Sequence, residues 1–302
     1  MAVYTTIDNP ELYFQVKAFS GTGSSNAVTY DGSENMQADL LWFKNRQQAL
    51  NWMMFDSVRG ITKYFYSNLT EAEGTNDPAT ILTAIGSDGF TVGANNNVNQ
   101  SSNNIINYGW KAGTSFTNDA SATGIGSIDS TGSASDTAGF SIVSYTGTGS
   151  SGTIKHGLSS PLKMIIVKRR NGIMSWCTTG TANGWDKCLF LDTTDSNGSY
   201  TFWQSTAPTS SVFSIDGSAA VNGSSDTFIA YCFAEKQGYS KFGSYTGNGN
   251  ADGTFVYTGF KPAFVMIKQT NTTRNWITWD NKRSTFNVVD ERLTPNLSNG
   301  ES

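Results

Sequence analysis

Residues 145–149 read YTGTG, residues 245–249 read YTGNG, and residues 19–23 read FSGTG. A short apolar run that ends in lysine follows each phrase, and a tryptophan follows each run. The three runs are Leu40–Lys44, Met164–Lys168 and Phe264–Lys268, and the tryptophans are Trp52, Trp176 and Trp276. Because self-similarity at fixed offsets is the signature of repeated structural units, the chain is built from copies of one unit.

A second phrase occurs twice. Residues 98–110 read VNQSSNNIINYGW, and residues 221–233 read VNGSSDTFIAYCF. Apolar and polar side chains alternate near the end of the first copy, which predicts a strand with Ile106, Tyr108 and Trp110 on one face. The equivalent residues of the second copy are Ile229, Tyr231 and Phe233. The third unit stops before this phrase, so the sequence holds two and a half units.

The composition favours strands over helices. Only 15% of the residues are charged, 13% are aromatic, and glycine alone accounts for 31 residues. Glycine phrases supply tight turns, and a run of four or five apolar residues between turn signals is typical of a strand buried on both faces. We therefore predict an all-β fold of tandem jelly-roll-like β-sandwich units with a truncated third unit. Residues 47–63 are compatible with a short helix or with strand.

The repeat phrases place the units at residues 1–137, 138–237 and 238–302. Within the first unit, residues 112–137 have almost no apolar content, and we interpret them as a low-complexity connector. A half sandwich would expose strand edges and apolar surface, which folded proteins avoid. Residues 238–302 are therefore expected to pack onto the preceding unit or to be completed by a neighbouring chain.

Charge and cysteine content argue against several classes of partner. The net charge is −4, and the only basic block is Lys168-Arg169-Arg170, so we expect no nucleic-acid partner. No apolar run is long enough to cross a bilayer, and the N-terminal residues do not resemble a signal peptide. Cys177, Cys188 and Cys232 form no zinc motif, and an odd number fits reduced, buried thiols in a cytoplasmic assembly. We expect no bound metal and no cofactor.

Few side chains are candidates for catalysis. The single histidine, His156, aligns with Tyr30 and Tyr257 of the other units, which indicates a packing position rather than a catalytic base.

The carboxylates that recur are Asp56 and Asp280, four residues after the tryptophan of their unit, where the second unit has Gly180. They fit turn contacts with the arginines that follow them. No acidic pair suited to glycoside hydrolysis stands out, and we expect no enzymatic activity.

Three tryptophans lie outside the regular positions of the repeat: Trp185, Trp203 and Trp279. Aromatic faces can stack on sugar rings, so these residues are the candidates for a glycan-binding platform. Ordinary partial burial of tryptophan is the competing interpretation.

Four further phrases resemble a repeat family found in virion and tail-fibre-like proteins of marine bacteriophages, sometimes described as concanavalin-like or lectin-like. They are Ala2-Val3-Tyr4-Thr5-Thr6-Ile7-Asp8, Ser57-Val58-Arg59-Gly60, Ile229-Ala230-Tyr231-Cys232-Phe233-Ala234-Glu235-Lys236, and residues 238–249 (GYSKFGSYTGNG).

The resemblance implies a structural protein of the virion, of the tail-fibre or appendage type, assembled in the host cytoplasm and contributing to host attachment. It implies self-association into a homo-oligomer and contact with other virion proteins, with a host surface glycan as a possible further ligand. Capsid decoration or a fibre-forming shell role is the alternative within the virion. A lectin-like carbohydrate-binding module of cellular origin and a polysaccharide-degrading enzyme are the alternatives outside it.

Overall fold

The computed structural model describes residues 5–75, 77 and 80–302, and this part of the chain is almost entirely β-sheet. Ala2, Val3 and Tyr4 of the family phrase lie outside the described residues. Helix is limited there to a 3-10 turn at Pro10–Leu12 and to two single-turn helices, α1 (Asn96–Asn99) and α2 (Ala120–Thr123). None of these helices has the length and apolar character needed to span a membrane.

The strands of this part of the chain are β1 (Phe14–Ser20), β2 (Asn26–Val28), β3 (Leu40–Asn45), β4 (Met53–Asp56), β5 (Lys63–Tyr66), β6 (Gly74–Thr75), β7 (Leu82–Ile85), β8 (Phe90–Val92), β9 (Asn104–Trp110), β10 (Thr114–Asn118), β11 (Ser130–Ser135), β12 (Phe140–Thr146), β13 (Gly152–Lys155), β14 (Leu162–Arg169), β15 (Cys177–Gly180), β16 (Lys187–Phe190), β17 (Gly198–Ser199), β18 (Val212–Ile215), β19 (Thr227–Ala234), β20 (Phe264–Lys268) and β21 (Trp276–Asp280). They form antiparallel sheets, none of which closes into a barrel.

The first unit is a sandwich of two sheets. Its inner sheet has the strand order β1-β9-β3-β4-β5-β6, and its outer sheet has the order β2-β8-β7. All six residues of β3 are buried, as predicted for the lysine-terminated run. Because successive side chains of a strand point to opposite faces, Leu41 and Phe43 enter the core between the two sheets, whereas Leu40 and Trp42 face the other side.

The second unit repeats this arrangement. Its inner sheet contains β12-β19-β14-β15-β16-β17 in the same relative order, and β13 pairs with β18 as the outer layer. The core between the layers includes Cys177, Cys188 and Cys232, whose thiols are buried and free, as the sequence predicts.

The prediction that residues 112–137 form a low-complexity connector is wrong. These residues form β10 and β11, which extend the inner sheet of the second unit next to β12. β10 is the edge strand of this sheet, and β11 lies between β10 and β12. Both strands consist mainly of small serine, threonine, glycine and alanine residues, so neither has the apolar run that marks the inner strands in the sequence. Phe116 on β10 packs against the core of the second unit. The boundary predicted at residue 137 therefore falls between two strands of one sheet.

The third unit contains the hairpin β20–β21 and a bridge from Thr278 to Leu293. The hairpin corresponds to β3–β4 and to β14–β15, and Leu293 corresponds to Phe65 and Leu189. Residues 241–263 form no strand. The third unit is thus truncated, as predicted, and of the inner sheet it contains only two strands within the described residues.

The inner sheets of the three units face one another across a shared central core. Its fully or largely buried members are Val16, Leu40, Trp42, Trp52, Met54, Phe65, Ile106, Tyr108 and Ala112 of the first unit, Phe140, Ile142, Ile166, Trp176, Leu189, Leu191, Ile229 and Tyr231 of the second, and Trp276 and Leu293 of the third. The third unit therefore packs onto the preceding unit, as predicted, and onto the first unit as well.

The tryptophan of each unit donates its indole N–H to a backbone carbonyl of another unit. Trp176 of the second unit reaches Leu69 O of the first at 3.2 Å. Trp276 of the third unit reaches Phe190 O of the second at 2.8 Å, and Trp52 of the first reaches Thr294 O of the third at 3.1 Å. The three bonds run in one direction around the shared core, so the units are arranged with pseudo-three-fold symmetry.

We call the contact region between two units a seam. Each seam contains a backbone hydrogen bond at an equivalent position. These bonds are Glu73 N to Arg170 O at 2.7 Å, Asn197 N to Thr270 O at 2.8 Å, and Glu301 N to Arg46 O at 2.6 Å. One such bond lies in the first–second seam, one in the second–third seam and one in the third–first seam. The repeat of the sequence is therefore a repeat of contacts between units as well as of strands within them.

Candidate functional site

A cluster of buried charged groups lies in the first–second seam. Asp56 and the guanidinium of Arg59 are fully buried, and Arg59 Nε donates to Asp56 Oδ2 over 2.6 Å. Tyr231 of the second unit donates its hydroxyl to the same carboxylate oxygen over 2.7 Å. A charged pair of the first unit therefore receives a hydrogen bond from the central strand β19 of its neighbour.

The local sequence explains the pair. Asp56 ends β4, and its Oδ1 accepts the backbone N–H of Arg59 at 2.8 Å, which is the arrangement that aspartate favours at the start of a turn. The turn brings the arginine side chain back onto the carboxylate. The Asp–Arg turn contact that the sequence predicts is confirmed here, and it is confirmed at Asp280 and Arg283 in the third unit.

Glu73 extends this pair across the seam. Arg59 Nη1 lies 3.3 Å from Glu73 Oε2, and Arg170 Nε of the second unit lies 2.8 Å from the same oxygen. Positive and negative groups thus alternate in the order Asp56, Arg59, Glu73 and Arg170. A buried pair needs such additional partners, because desolvation alone is costly for each charge.

The third–first seam contains the same groups. Tyr108 of the first unit donates to Asp280 Oδ2 over 2.8 Å, and Arg283 Nε lies 2.5 Å from that oxygen. Arg283 Nη1 contacts Glu301 Oε2 at 3.0 Å, and Arg46 Nη2 of the first unit contacts Glu301 Oε1 at 2.7 Å. The first unit supplies Tyr108 and Arg46, and the third unit supplies Asp280, Arg283 and Glu301. The first–second seam has the same division of residue types.

The second–third seam differs. Gly180 occupies the position of the two aspartates, and a Cβ atom there would lie 2.2 Å from Lys163 O, so a side chain does not fit. Thr270 stands where the other seams have Arg46 and Arg170. The tyrosine would belong to the second phrase of the third unit, which residues 238–302 do not include. The missing acid and the missing tyrosine therefore belong to the same seam.

The lysine that ends each apolar run contacts backbone carbonyls near the seams. Lys168 Nζ donates to Thr70 O of the first unit at 2.8 Å, and Lys268 Nζ donates to Thr194 O of the second at 3.3 Å. Lys44 bonds the carbonyls of its own loop instead. Burial lowers the pKa of Lys44 and that of Lys168 to about 8. These contacts explain why a charged residue ends an otherwise apolar run.

The tyrosines of the seams stay neutral. Burial raises the pKa of Tyr108 and that of Tyr231 well above 10, and the adjacent carboxylates of Asp280 and Asp56 raise both pKa values further. Each hydroxyl therefore stays protonated near neutral pH and acts as a hydrogen-bond donor to a charged pair. The seam groups are suited to holding units in one relative position.

An open groove of about 600 Å³ lies on the inner sheet of the second unit, beside the strands β10, β11 and β12. Hydroxyl groups are the commonest polar groups of its lining, as in Thr131, Ser144 and Thr227. The carboxylate of Asp129, the carboxamide of Asn118 and the guanidinium of Arg170 complete it. This groove is not predictable from the sequence, because residues 112–137 have almost no apolar content and therefore resemble a connector. The lining suits a polar ligand that carries many hydroxyl groups.

Residues 9–302 match the family model of a domain of unknown function, DUF7483. The chain belongs to the DUF7483 family. No curated protein and no solved structure matches it. Within DUF7483, the matched region of this chain includes residues of all three units and of both tyrosine-containing seams.

The glycan candidates occupy different environments in this DUF7483 chain. Trp203 is 1% exposed within the core of the second unit, so its face cannot stack on a sugar, and the prediction for this residue is wrong. Trp185 is half-buried between β15 and β16, and Trp279 is half-buried on β21 opposite Val265. Trp185 and Trp279 belong to different units, and the prediction of glycan binding stays open for these two.

His156 is completely buried and uses both ring nitrogens. Nδ1 accepts the backbone N–H of Leu158 at 3.2 Å, and Nε2 lies 3.2 Å from Thr209 O, which requires the proton to be on Nε2. Burial lowers the pKa of His156 to about 4. This environment agrees with a packing position. Among the described residues, no group of three or more histidine, cysteine or acidic side chains could hold a metal ion.

Tyr231→Phe should lower the free energy of unfolding by about 1–3 kcal/mol, because it removes one hydrogen bond from a buried charged pair. Tyr108→Phe should have a similar effect, since it removes the equivalent bond at Asp280. Urea unfolding followed by tryptophan fluorescence measures both changes. Tyr200→Phe, at a half-buried ring outside the seams, is the matched control and should change stability little. Equal effects of all three substitutions would contradict the role assigned to the seams.

The stability of the protein should decrease as the pH falls from about 6.5 to about 4. The pKa of His156 in the folded state lies below its ordinary value, so on acidification the unfolded chain takes up a proton before the folded chain does. The contribution of neutral His156 to the free energy of unfolding is therefore complete only above this pH range. The loss should reach roughly 2–3 kcal/mol at its lower end. Unfolding midpoints at several pH values measure it, with His156→Gln as the comparison. An identical pH dependence in this variant would show that another group is responsible.

Proposed function

We propose that this chain is a structural protein of a bacteriophage virion, of the tail-fibre or appendage type, and that it contributes to attachment to the host surface. The observation that carries the proposal is the pseudo-three-fold body in which three units share one core. The resemblance of the repeat phrases to virion and tail-fibre-like proteins supplies the biological setting.

The placement of the ionisable groups supports a structural role. Asp56, Arg59, Asp280 and Arg283 are buried, and each is paired within a seam. His156 is neutral near pH 7 and has both nitrogens occupied. These groups hold the fold together, and their partners are other groups of the same chain.

The open groove of the second unit supports a contact with a host surface. Its hydroxyl and carboxylate groups, together with Asn118 and Arg170, can exchange hydrogen bonds with a hydroxyl-rich molecule such as a surface glycan. One open groove gives weak binding. Many copies on one particle would raise the apparent affinity, because each further contact forms at a high effective concentration.

Immunogold electron microscopy of purified virions, with antibodies against this chain, tests the proposal. We expect gold particles on a fibre or another tail appendage, and a matching band in the virion protein gel. Labelling over the capsid surface would favour the alternative of capsid decoration. Absence of the chain from both the micrographs and the gel would contradict any virion role.

A lectin-like carbohydrate-binding module is the second candidate, favoured by the same groove. A glycan array probed with the purified chain should then give saturable binding to a defined sugar. Thr131→Trp places a bulky ring at an exposed groove position and should abolish this binding, whereas Thr273→Trp, at an exposed position of the third unit, should not. Binding that survives Thr131→Trp but is lost in Trp185→Ala or Trp279→Ala would assign the site to that tryptophan.

A further inference from the structure

The strand β20 is paired on one side only. In the first unit β3 lies between β9 and β4, and in the second unit β14 lies between β19 and β15. Within the described residues β20 pairs with β21 alone, so the edge that corresponds to β9 and β19 carries backbone N–H and C=O groups without strand partners. Every residue of β20 is half-buried, whereas every residue of β3 is buried.

The segment before β20 exposes apolar side chains whose counterparts are buried. Phe255 is 85% exposed, and its counterpart in the second unit, Ile154, is fully buried in the core. Tyr245 is 49% exposed, whereas its counterpart Tyr145 on β12 is buried. Burying such side chains contributes about 25 cal/mol for each Å² removed from water. In the second unit β12 is paired with β11 on one side and with β19 on the other, whereas residues 240–246 form no strand and have neither neighbour.

Thr178 on β15 provides an independent sign of an unfilled contact. Its side chain faces the shared core, is 3% exposed, and its hydroxyl has no hydrogen-bond partner within the described part of the chain. The equivalent residue in the third–first seam is Thr278, whose hydroxyl lies 3.4 Å from Leu293 O and is also a hydrogen-bonding neighbour of Tyr108. The second–third seam has the threonine but lacks the tyrosine.

We propose that the open edge of β20 binds an incoming polypeptide strand that carries the second phrase of the repeat, with the pattern Ile-x-Tyr-x-aromatic. The strand pairs antiparallel with β20 and completes the inner sheet between β20 and residues 240–246. Its alternate side chains enter the shared core. This inference concerns assembly and holds whether or not the chain belongs to a virion.

The registers of the complete units set the position of the incoming strand. On β14, Met164, Ile166 and Lys168 lie opposite Phe233, Tyr231 and Ile229 of β19. Phe264, Met266 and Lys268 are the corresponding residues of β20, so they receive the aromatic residue, the tyrosine and the isoleucine of the incoming strand. Since Gly180 replaces the aspartate of the other seams, the tyrosine hydroxyl bonds to Thr178 instead.

A second copy of the chain does not supply this strand. The two segments that carry the phrase, β9 and β19, are central strands of their own sheets and are paired on both sides. Releasing either one would open a complete unit and its seam. The partner is therefore a polypeptide segment outside residues 1–302 with the chemistry of β19.

Binding of a synthetic peptide to the full chain tests the proposal. The probe is a labelled peptide with the sequence of residues 227–236, with serine in place of its cysteine. We expect saturable binding by fluorescence anisotropy, and slower hydrogen–deuterium exchange at Phe264–Lys268 when the peptide is bound. A control peptide with serine in place of the isoleucine, tyrosine and second phenylalanine should bind at least tenfold more weakly.

Two results would overturn the proposal. Equal binding of the probe and the control, or no added protection of β20 by the probe, would show that the edge does not recognise the phrase. Sedimentation as a dimer, with β20 already protected in the absence of peptide, would identify a second copy as the occupant.

The pairing with Thr178 has its own test. Replacing the peptide tyrosine by phenylalanine should weaken binding to the unmodified chain about threefold to tenfold, as expected for one neutral hydrogen bond. On the Thr178→Val variant the two peptides should bind equally. Equal binding of the two peptides to the unmodified chain would contradict the assigned register. Thr178→Val removes an unpaired buried hydroxyl, so the variant is expected to fold.

Discussion

The structure depends on the apolar core that three units share. The inner sheets of the first and second units are covered on both faces, because one face meets the outer sheet of the same unit and the other meets the neighbouring units. The residues Leu40–Phe43 of β3 are therefore all apolar, and they alternate between two cores. A single unit released from the others would expose one of these two faces to water. The units consequently form one domain with a common core and are not independent domains joined by linkers.

Polar groups within the shared core determine how the units meet. A buried ion pair by itself adds little to stability, since the desolvation of both charges offsets their attraction. The Tyr231 and Tyr108 hydroxyls can satisfy Asp56 and Asp280 only when two units meet at one position, so the pairs favour that position over others. The second–third seam has Gly180 in place of the acid and keeps the backbone and tryptophan contacts. Buried Asp–Arg pairs thus contribute to the specificity of two seams, whereas the second–third seam relies on hydrogen bonds from Trp276, Lys268 and the backbone.

The repeat allowed β3, β14 and β20, the alternating faces of β9 and β19, and the Asp–Arg turns to be predicted from sequence. Periodicity reports which side chains are buried, but it does not report what they are buried against. Leu41 and Trp42 have the same apolar character and enter different cores. For the same reason Trp203, which lies off the repeat, was expected at the surface and is in the core. The strands β10 and β11 could not be predicted because they consist mainly of small serine, threonine, glycine and alanine residues and contain no apolar run. The contact between the aspartate of one unit and the tyrosine of the next was predictable in principle. The unit that has Gly180 in place of the aspartate precedes the unit whose tyrosine phrase is absent from residues 238–302.

The exchange of the three indole N–H protons with solvent tests the shared core most directly. Trp52, Trp176 and Trp276 each donate this proton across a different seam. Exchange measured by NMR as a function of denaturant gives an opening free energy for each seam. A single cooperative body predicts one common value for all three, equal to the free energy of global unfolding. Three different values, each below the global one, would show that the units open independently and would contradict the shared core.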